Sequence, residues 1–446
     1  MPLPISQNNK LLKAYDIVRT SYWFVPTLII FAVLALLALM LWVDRNSGLQ
    51  EVDWLAFLYH ADGEITRDLL TTIAGSVMTV VSITFSITMV ALTNASSQFG
   101  PRLIRNFMND SSTQTVLGTF IAIFLYCLAL ARATDDFAQG DYLPGLAFGG
   151  AMVLTLTGIF LLIYFIHHVA TNLQADNIID NVYESLQTNV QSIFEEHKHK
   201  EAAGCTREDV RQHIPEQSHI WLNSDHAGYV QAINYHTLAE LMSEEKQYME
   251  LIITSGDFVT KNMAILKRSD QILTNNQRDK ILSCITLGAK RTPIQDPEFA
   301  ILQLVEIALR ALSPSINDPY SAIACIDKLS STLCNLTSKT FPEGIACDQN
   351  DEPRIAFKTA TFTGLANTAF DQIRQHSKLN LAVQLRLLEG LIRIGEQANS
   401  EEQWQFIQQQ KQLIEHDLKQ QETIGNDQKE TSERLNILNN LIATKA

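Results

Sequence analysis

The chain has 446 residues, 46% of them apolar, a mean hydropathy near zero (+0.01) and a formal charge of −14 at pH 7. That length allows two or three domains, and the acidity argues against nucleic acid as a partner, because a phosphate backbone needs a basic footprint. The near-zero average conceals a division. Long uncharged runs lie almost entirely before residue 170 and charge is dense after it, a pattern that fits neither a uniform soluble enzyme nor a pure membrane bundle.

Four runs are long and apolar enough to cross a bilayer, which takes about 20 helical residues. They cover residues 23–43, 69–94, 115–131 and 145–167. The first (WFVPTLIIFAVLALLALMLWV) is flanked by Tyr22, Trp23 and Trp42, residues suited to the membrane interfaces. It begins too far in and is too long for a cleavable signal. Basic residues Lys10, Lys13, Arg19, Arg102 and Arg105 lie before the first span and after the second, whereas the loops after the first and third are acidic. The positive-inside rule then predicts both termini in the cytoplasm and, in a bacterium, insertion in the inner membrane.

The second span, LLTTIAGSVMTVVSITFSITMVALTN, is loaded with hydroxyls. Thr72, Thr79, Ser86 and Thr93 recur every seven residues, and Ser76, Ser82 and Gly75 fall near the same side. This makes a hydroxyl stripe along one helical face. Such a stripe can pack helices through hydrogen bonds and close backbone approach, or line a conduit if copies surround an axis. Just beyond it, Pro101 is placed to open a short amphipathic helix (PRLIRNFM) that would set Arg102 and Arg105 at a cytoplasmic mouth, as topology anchors or as an anion-attracting ring. No acidic residue falls inside a span, which argues against a buried-carboxylate proton relay.

After the fourth span the helical period continues through Val169, Leu173, Ile178, Ile179, Val182, Leu186, Val190 and Ile193, predicting one helix that runs on from the membrane as a connector over 169–200. His167 and His168 are adjacent, point to different faces and make no chelating pair. Residues 218–268 read as a small β-module: HIWLN, GYVQAIN, YMELIITS and MAILKR as strands, TLAELMSEEK as a helix, with turns at Ala227-Gly228 and Ser255-Gly256-Asp257. Its layout resembles a biotinyl/lipoyl half-barrel, but a helix stands where a carrier lysine would sit.

Residues 275–446 read as helical. Asp296-Pro297-Glu298 starts one helix by cap and proline, with Leu302, Val305, Leu309 and Leu312 as its expected buried stripe, and Asp318-Pro319 repeats the device. The polar turn between them, with Ser313, Ser315, Asn317 and Asp318, is the best candidate for a ligand or partner site; its plainer role is a capped helix connection. Residues 338–354 read as a loop, followed by helices near 356–377 and 380–397. A Gln-rich amphipathic helix follows from 401, with Trp404, Ile407, Leu413, Ile414 and Leu418 on one face.

The six cysteines (127, 205, 284, 325, 334, 347) form no CxxC pair, so neither a zinc site nor a disulfide framework is expected. No phosphate loop, metal cluster or nucleophile constellation is found, hence no catalytic residue, metal or cofactor is assigned.

Several of these segments together resemble the bacterial predicted membrane proteins catalogued as domain of unknown function 2254. The resemblance is carried by SYWFVP, VVSITFSITMVAL through SSQFGPRLIRNFM, FIHHVATNLQADNII, GYVQAI with GDFV, QDPEFAILQLVEIALRALSPSINDPYSAIACIDKL and AFDQIRQH. It implies an integral membrane protein with a cytoplasmic domain and brings no established activity or site. The expected fold is membrane α-helical, with four transmembrane helices over 1–168 and a mainly α cytoplasmic domain containing the small β-module. The expected function is an oligomeric ion or small-solute channel regulated by that domain. The alternative is a non-transporting sensor or scaffold that binds a cytoplasmic protein. The expected partners are the lipid bilayer and further copies of the chain.

Overall fold

The computed structural model describes residues 23–46, 63–100, 111–137, 144–172, 174–198, 205–215, 219–269, 273–293, 295–421 and 425–445. The chain divides into two compact units, residues 1–174 and 175–446.

In the first unit, four helices are long and apolar enough to span a membrane among the described residues: α1 (Phe24–Asn46), α2 (Gly63–Phe99), α3 (Ser111–Phe137) and α4 (Gly145–Asn172). The last three contain their apolar runs whole, and the first begins one residue inside its run, at Phe24; α1, α2, α3 and α4 all extend past the C-terminal end of theirs. The third is central. Half of its apolar span is buried, against 22% or less for the others, and α1, α2 and α4 all pack on it. Val116, Phe120, Ile123, Tyr126, Cys127 and Leu130 form this inner face. Small residues set the spacing. A Cβ on Gly118 would lie 2.6 Å from Pro26 Cα, so α1 and α3 approach at backbone distance there.

One end of the unit is tied by Asp44. It lies at the end of α1, is 2% exposed, and accepts hydrogen bonds from the Leu146 and Ala147 amides (3.1 and 3.0 Å) at the start of α4. Its charge meets the positive end of that helix. Tyr126 of α3 donates to the Ala147 carbonyl (2.8 Å), so three helices converge here.

The second unit begins with α5 (Ala175–Lys198) and α6 (Arg207–Gln212). The expected continuous connector is corrected: α4 ends at Asn172 and α5 starts as a separate helix at Ala175. Its apolar face is as read, with Ile178, Ile179, Val182, Leu186 and Val190 buried, and it packs on the helices at Pro297–Ala311 and Pro319–Thr337.

The β-module holds β1 (Ile220–Asn223), β2 (Gly228–Ile233), α7 (Tyr235–Glu244), β3 (Met249–Leu251), β4 (Phe258–Val259) and β5 (Ala264–Arg268). After α8 (Asn275–Ser283) comes β6 (Ile285–Gly288), and after α9 (Pro297–Ala311) and α10 (Pro319–Thr337) come β7 (Ile345–Cys347) and β8 (Pro353–Ala356). The sheets run β1-β5-β3-β8-β7 and β4-β2-β6; only β3–β8 is parallel. Leu222, Val230, Leu238, Met249, Leu266 and Ile355 share their common core.

Strands β6, β7 and β8 correct the expectation of helix and loop in those stretches. Each is only three or four residues long, too short to show a period; β6 and β8 are completed by pairing with β2 and β3, distant in sequence, and β7 by pairing with β8. The turn at Gly256 (φ +95°) packs directly on the cap of α9: a Cβ there would overlap Asp296 Oδ2.

Helices α11 (Phe362–His376), α12 (Leu381–Gln397), α13 (Glu401–Lys419) and α14 (Asn426–Lys445) complete the unit. The first of these starts six residues later than expected, because residue 356 belongs to β8. Asp296 and Asp318 cap α9 and α10 as read, accepting from the Phe299 and Ser321 amides. The buried face of α9 is corrected: of the four residues expected, only Val305 is buried, and the packed face is Ala300, Ile301, Leu304, Ile307, Ala308 and Ala311. Helices α5, α10 and α11 surround α9, so every apolar position is at least half covered and the period alone cannot choose the deepest face.

Candidate functional site

The hydroxyl stripe lies wholly within α2. At roughly 100° per residue, Thr72, Ser76, Thr79, Ser82, Ser86 and Thr93 centre about 170° from the packed residues Leu70, Ala74, Val81 and Thr84. All six are exposed in the single chain, and Gly75 among them faces open space. The stripe therefore does not pack α2 against its own neighbours. From Thr72 to Thr93 it rises roughly 32 Å at about 1.5 Å per residue, which matches the ~30 Å hydrocarbon thickness.

Each stripe hydroxyl donates to the carbonyl four residues earlier: Thr72 to Asp68 (2.7 Å), Ser76 to Thr72 (2.8 Å), Thr79 to Gly75 (3.0 Å), Ser82 to Met78 (3.1 Å), Ser86 to Ser82 (2.9 Å) and Thr93 to Met89 (2.8 Å). The protons are thus directed back to the helix, which lets these side chains stand in an apolar medium at low cost. Their oxygens keep lone pairs on the outer side. Thr84 differs. It faces inward, is 2% exposed, and its hydroxyl has no hydrogen-bond partner among the described residues.

One flank of the stripe folds into a cleft of about 240 Å³. Thr72 and Ser76 of α2, Phe120 and Ile123 of α3, and Thr155 and Gly158 of α4 line it. Arg102 and Arg105, with the amphipathic segment after Pro101, lie outside the described residues.

The turn at 313–318 brings Ser313, Ser315, Asn317 and Asp318 together, but their bonds are mostly local. Ser313 Oγ donates to the Arg310 carbonyl (2.7 Å) and lies 3.3 Å from Ser315 Oγ. Asn317 adopts a left-handed conformation (φ 49°) and its amide closes on the Ser313 carbonyl (2.9 Å). The Asp318 carboxylate accepts from the Ser321 amide (3.2 Å) and hydroxyl (2.5 Å). This is the chemistry of a helix connection with caps.

Among the described residues, no group of three or more His, Cys, Asp or Glu side chains is placed to hold a metal ion. Burial pushes the Cys284, Cys325 and Cys334 thiols up, which disfavours the reactive thiolate. The sequence reading missed Asp44, Tyr126 and Thr155. Asp44 and Leu146 are separated by 102 positions, and no local spacing reveals that the first caps the helix of the second.

Four helices of this length and composition, followed by a mixed α/β unit, define a polytopic membrane protein. The chain belongs to the predicted membrane protein family DUF2254, whose profile matches residues 19–393. That match includes all four spans and the β-module; α13 and α14 lie beyond it. An uncharacterized protein of Mycobacterium bovis is 28% identical over 397 residues, covering 88% of this chain and 75% of the relative. An uncharacterized protein of Mycobacterium tuberculosis matches with the same figures. No solved structure matches the chain.

Proposed function

We propose that this protein is a homo-oligomeric membrane conduit for an ion or small solute. In this reading α2 lines the path and the second unit regulates it. One observation carries the proposal: the hydroxyl face of α2 is as long as the hydrocarbon layer is thick and is left uncovered by the described residues of its own chain. Lipid gains nothing from an aligned row of hydroxyls. A ring of copies would turn the row toward a shared axis, and the seven-residue repeat suits helices that supercoil left-handed about it. With the protons held by the helix, the row offers oxygen lone pairs, which match water or a cation better than an anion.

The remaining assignments follow from the same charge and composition arguments. Both termini lie in the cytoplasm, and the membrane is the bacterial inner membrane. The test is salt flux from liposomes containing the purified oligomer, with Thr79→Leu or Ser86→Leu as the blocking change; flux that persists undiminished in both variants sinks the conduit.

The alternative is a sensor or scaffold without transport, in which the stripe only joins copies and the cytoplasmic unit binds a protein. The exposed outer face of α14, where Ile437 is 52% exposed, is the observation that favours it. Removing residues 425–446 tests this better than a larger deletion, because α13 buries Trp404, Phe406 and Ile407 in the core. Loss of a specific cytoplasmic partner on that truncation supports the alternative.

A further inference from the structure

Two of the most exposed large apolar side chains in the second unit share one end of it. Tyr320 is 82% exposed and Leu379 is 94% exposed. Helices α10 and α12 run parallel: Asp327 pairs with Arg386 one turn into α12, and at the far ends the Thr337 carbonyl accepts from the Asn399 side-chain amide (3.1 Å). Their N-terminal ends therefore coincide. Tyr320 stands in the first turn of α10, and Leu379 at the loop that opens α12. The turn at 313–318 lies at the same end and adds exposed Pro314 and half-buried Ile316.

Helix α5 identifies which end this is. It also runs parallel to α10. Lys328 pairs with Asp180 (2.7 Å), the Ser331 hydroxyl bonds to that of Tyr183 (2.9 Å), and Gln187 donates to Thr332 (3.1 Å). The start of α5, at Ala175, thus lies beside the first turns of α10. Ala175 is also where the chain arrives from the fourth span. The last apolar residue of that span before His167 is Ile166. Six helical residues at about 1.5 Å each and three Cα steps of at most about 3.8 Å keep Ala175 within roughly 20 Å of the hydrocarbon edge. The headgroup layer itself occupies about 5–8 Å of that distance.

We propose that this end of the second unit is a membrane-docking surface, with Leu379 and Tyr320 inserted among lipid headgroups at the cytoplasmic face. Leucine at a loop tip and tyrosine with a polar hydroxyl suit that layer. Lys378, beside Leu379 and half exposed, pairs with Asp417 (3.4 Å) and puts a positive charge at the rim of this surface. Two side chains alone would hold a free protein to a bilayer only weakly. The short covalent tether removes that requirement, because it keeps the surface at a high effective concentration next to the bilayer. This surface does not depend on whether α2 lines a conduit.

The test uses the full chain reconstituted in phosphatidylcholine–phosphatidylglycerol liposomes, with Cys205→Ser and Cys347→Ser to remove the part-exposed thiols. A nitroxide label is placed at Leu379→Cys and, separately, at Tyr320→Cys. A control label at Lys339→Cys lies two residues past the far end of α10, roughly 28 Å from its start. Collision with lipid-soluble oxygen and with a water-soluble nickel chelate reads depth. The expected result is loss of nickel accessibility with a gain in oxygen accessibility at 379 and 320, and full nickel accessibility at 339. Nickel accessibility at 379 and 320 equal to that at 339 overturns the proposal. So does shielding from both reagents, which would mean that protein covers the surface. Both target residues are solvent-exposed, so the labels leave the core intact, and agreement between them guards against a local misfold.

Discussion

Asp348 offers a quantitative test of the architecture of the second unit. It sits in the tight β7–β8 connection and is 5% exposed. Burial by itself would raise its pKa. The Ser243 hydroxyl (2.6 Å), the Asn350 amide (2.9 Å), Arg354 Nε (3.0 Å) and the Glu352 amide (3.1 Å) outweigh this and hold the carboxyl at about 2. A fall from the ordinary 3.8 to about 2 favours the ionised folded form by roughly 2 kcal/mol, at about 1.4 kcal/mol per tenfold change. The group's folded value lies below its unfolded one. Its contribution is therefore complete above about pH 4 and is lost as pH falls toward 2. Asp348→Asn keeps the volume and one acceptor but removes the charge. Native-state hydrogen exchange on the full chain in detergent should then show roughly thirtyfold faster local opening over residues 345–357, the equivalent of about 2 kcal/mol. The variant should also lack the acid-dependent loss of protection between about pH 4 and 2 that the parent shows. Unchanged exchange in this hairpin, or an identical acid limb in parent and variant, refutes the reasoning.

Three further outcomes follow from the packing. Asp417→Ala leaves Arg374 buried without its 3.2 Å partner; α13 should lose about 3 kcal/mol of stability, seen as faster exchange and proteolysis over residues 401–419. Asp44→Ala removes both acceptors at the start of α4 and should cost about 1–2 kcal/mol, read as a lower melting temperature in detergent. Thr84→Val replaces an unpartnered buried hydroxyl by an isosteric methyl and should leave stability unchanged or raise it by about 1 kcal/mol; a fall in melting temperature would contradict that environment.

Much of this architecture was legible in the residues because the signals are local. A bilayer span is announced by its own composition, so the four membrane helices were readable. Proline caps at Asp296 and Asp318 involve residues three apart, and the apolar face of α5 follows one period. What escaped depends on partners far away in sequence. The strands β6 and β8 exist through pairing with β2 and β3 across tens of residues, and β7 through its pairing with β8. The break between Asn172 and Ala175 interrupts a helical period that itself continues. The exposure of the α2 stripe is a tertiary fact: the same hydroxyls could have faced α3, and only the placement of Leu70, Ala74 and Val81 against it turns them outward. Asp44 reads as one more acid in an acidic loop until Leu146 is brought to it.

The central claim concerns that outward face. The most direct measurement is ion flux from liposomes holding the purified protein, with the mass of the oligomer determined in parallel, for the parent and for Thr79→Leu. The account predicts a defined oligomer that conducts, with conduction strongly reduced when leucine fills the middle of the stripe while the oligomer persists. An oligomer that conducts equally well with leucine at 79, or a protein that passes no ion across a range of salts and pH, would contradict it.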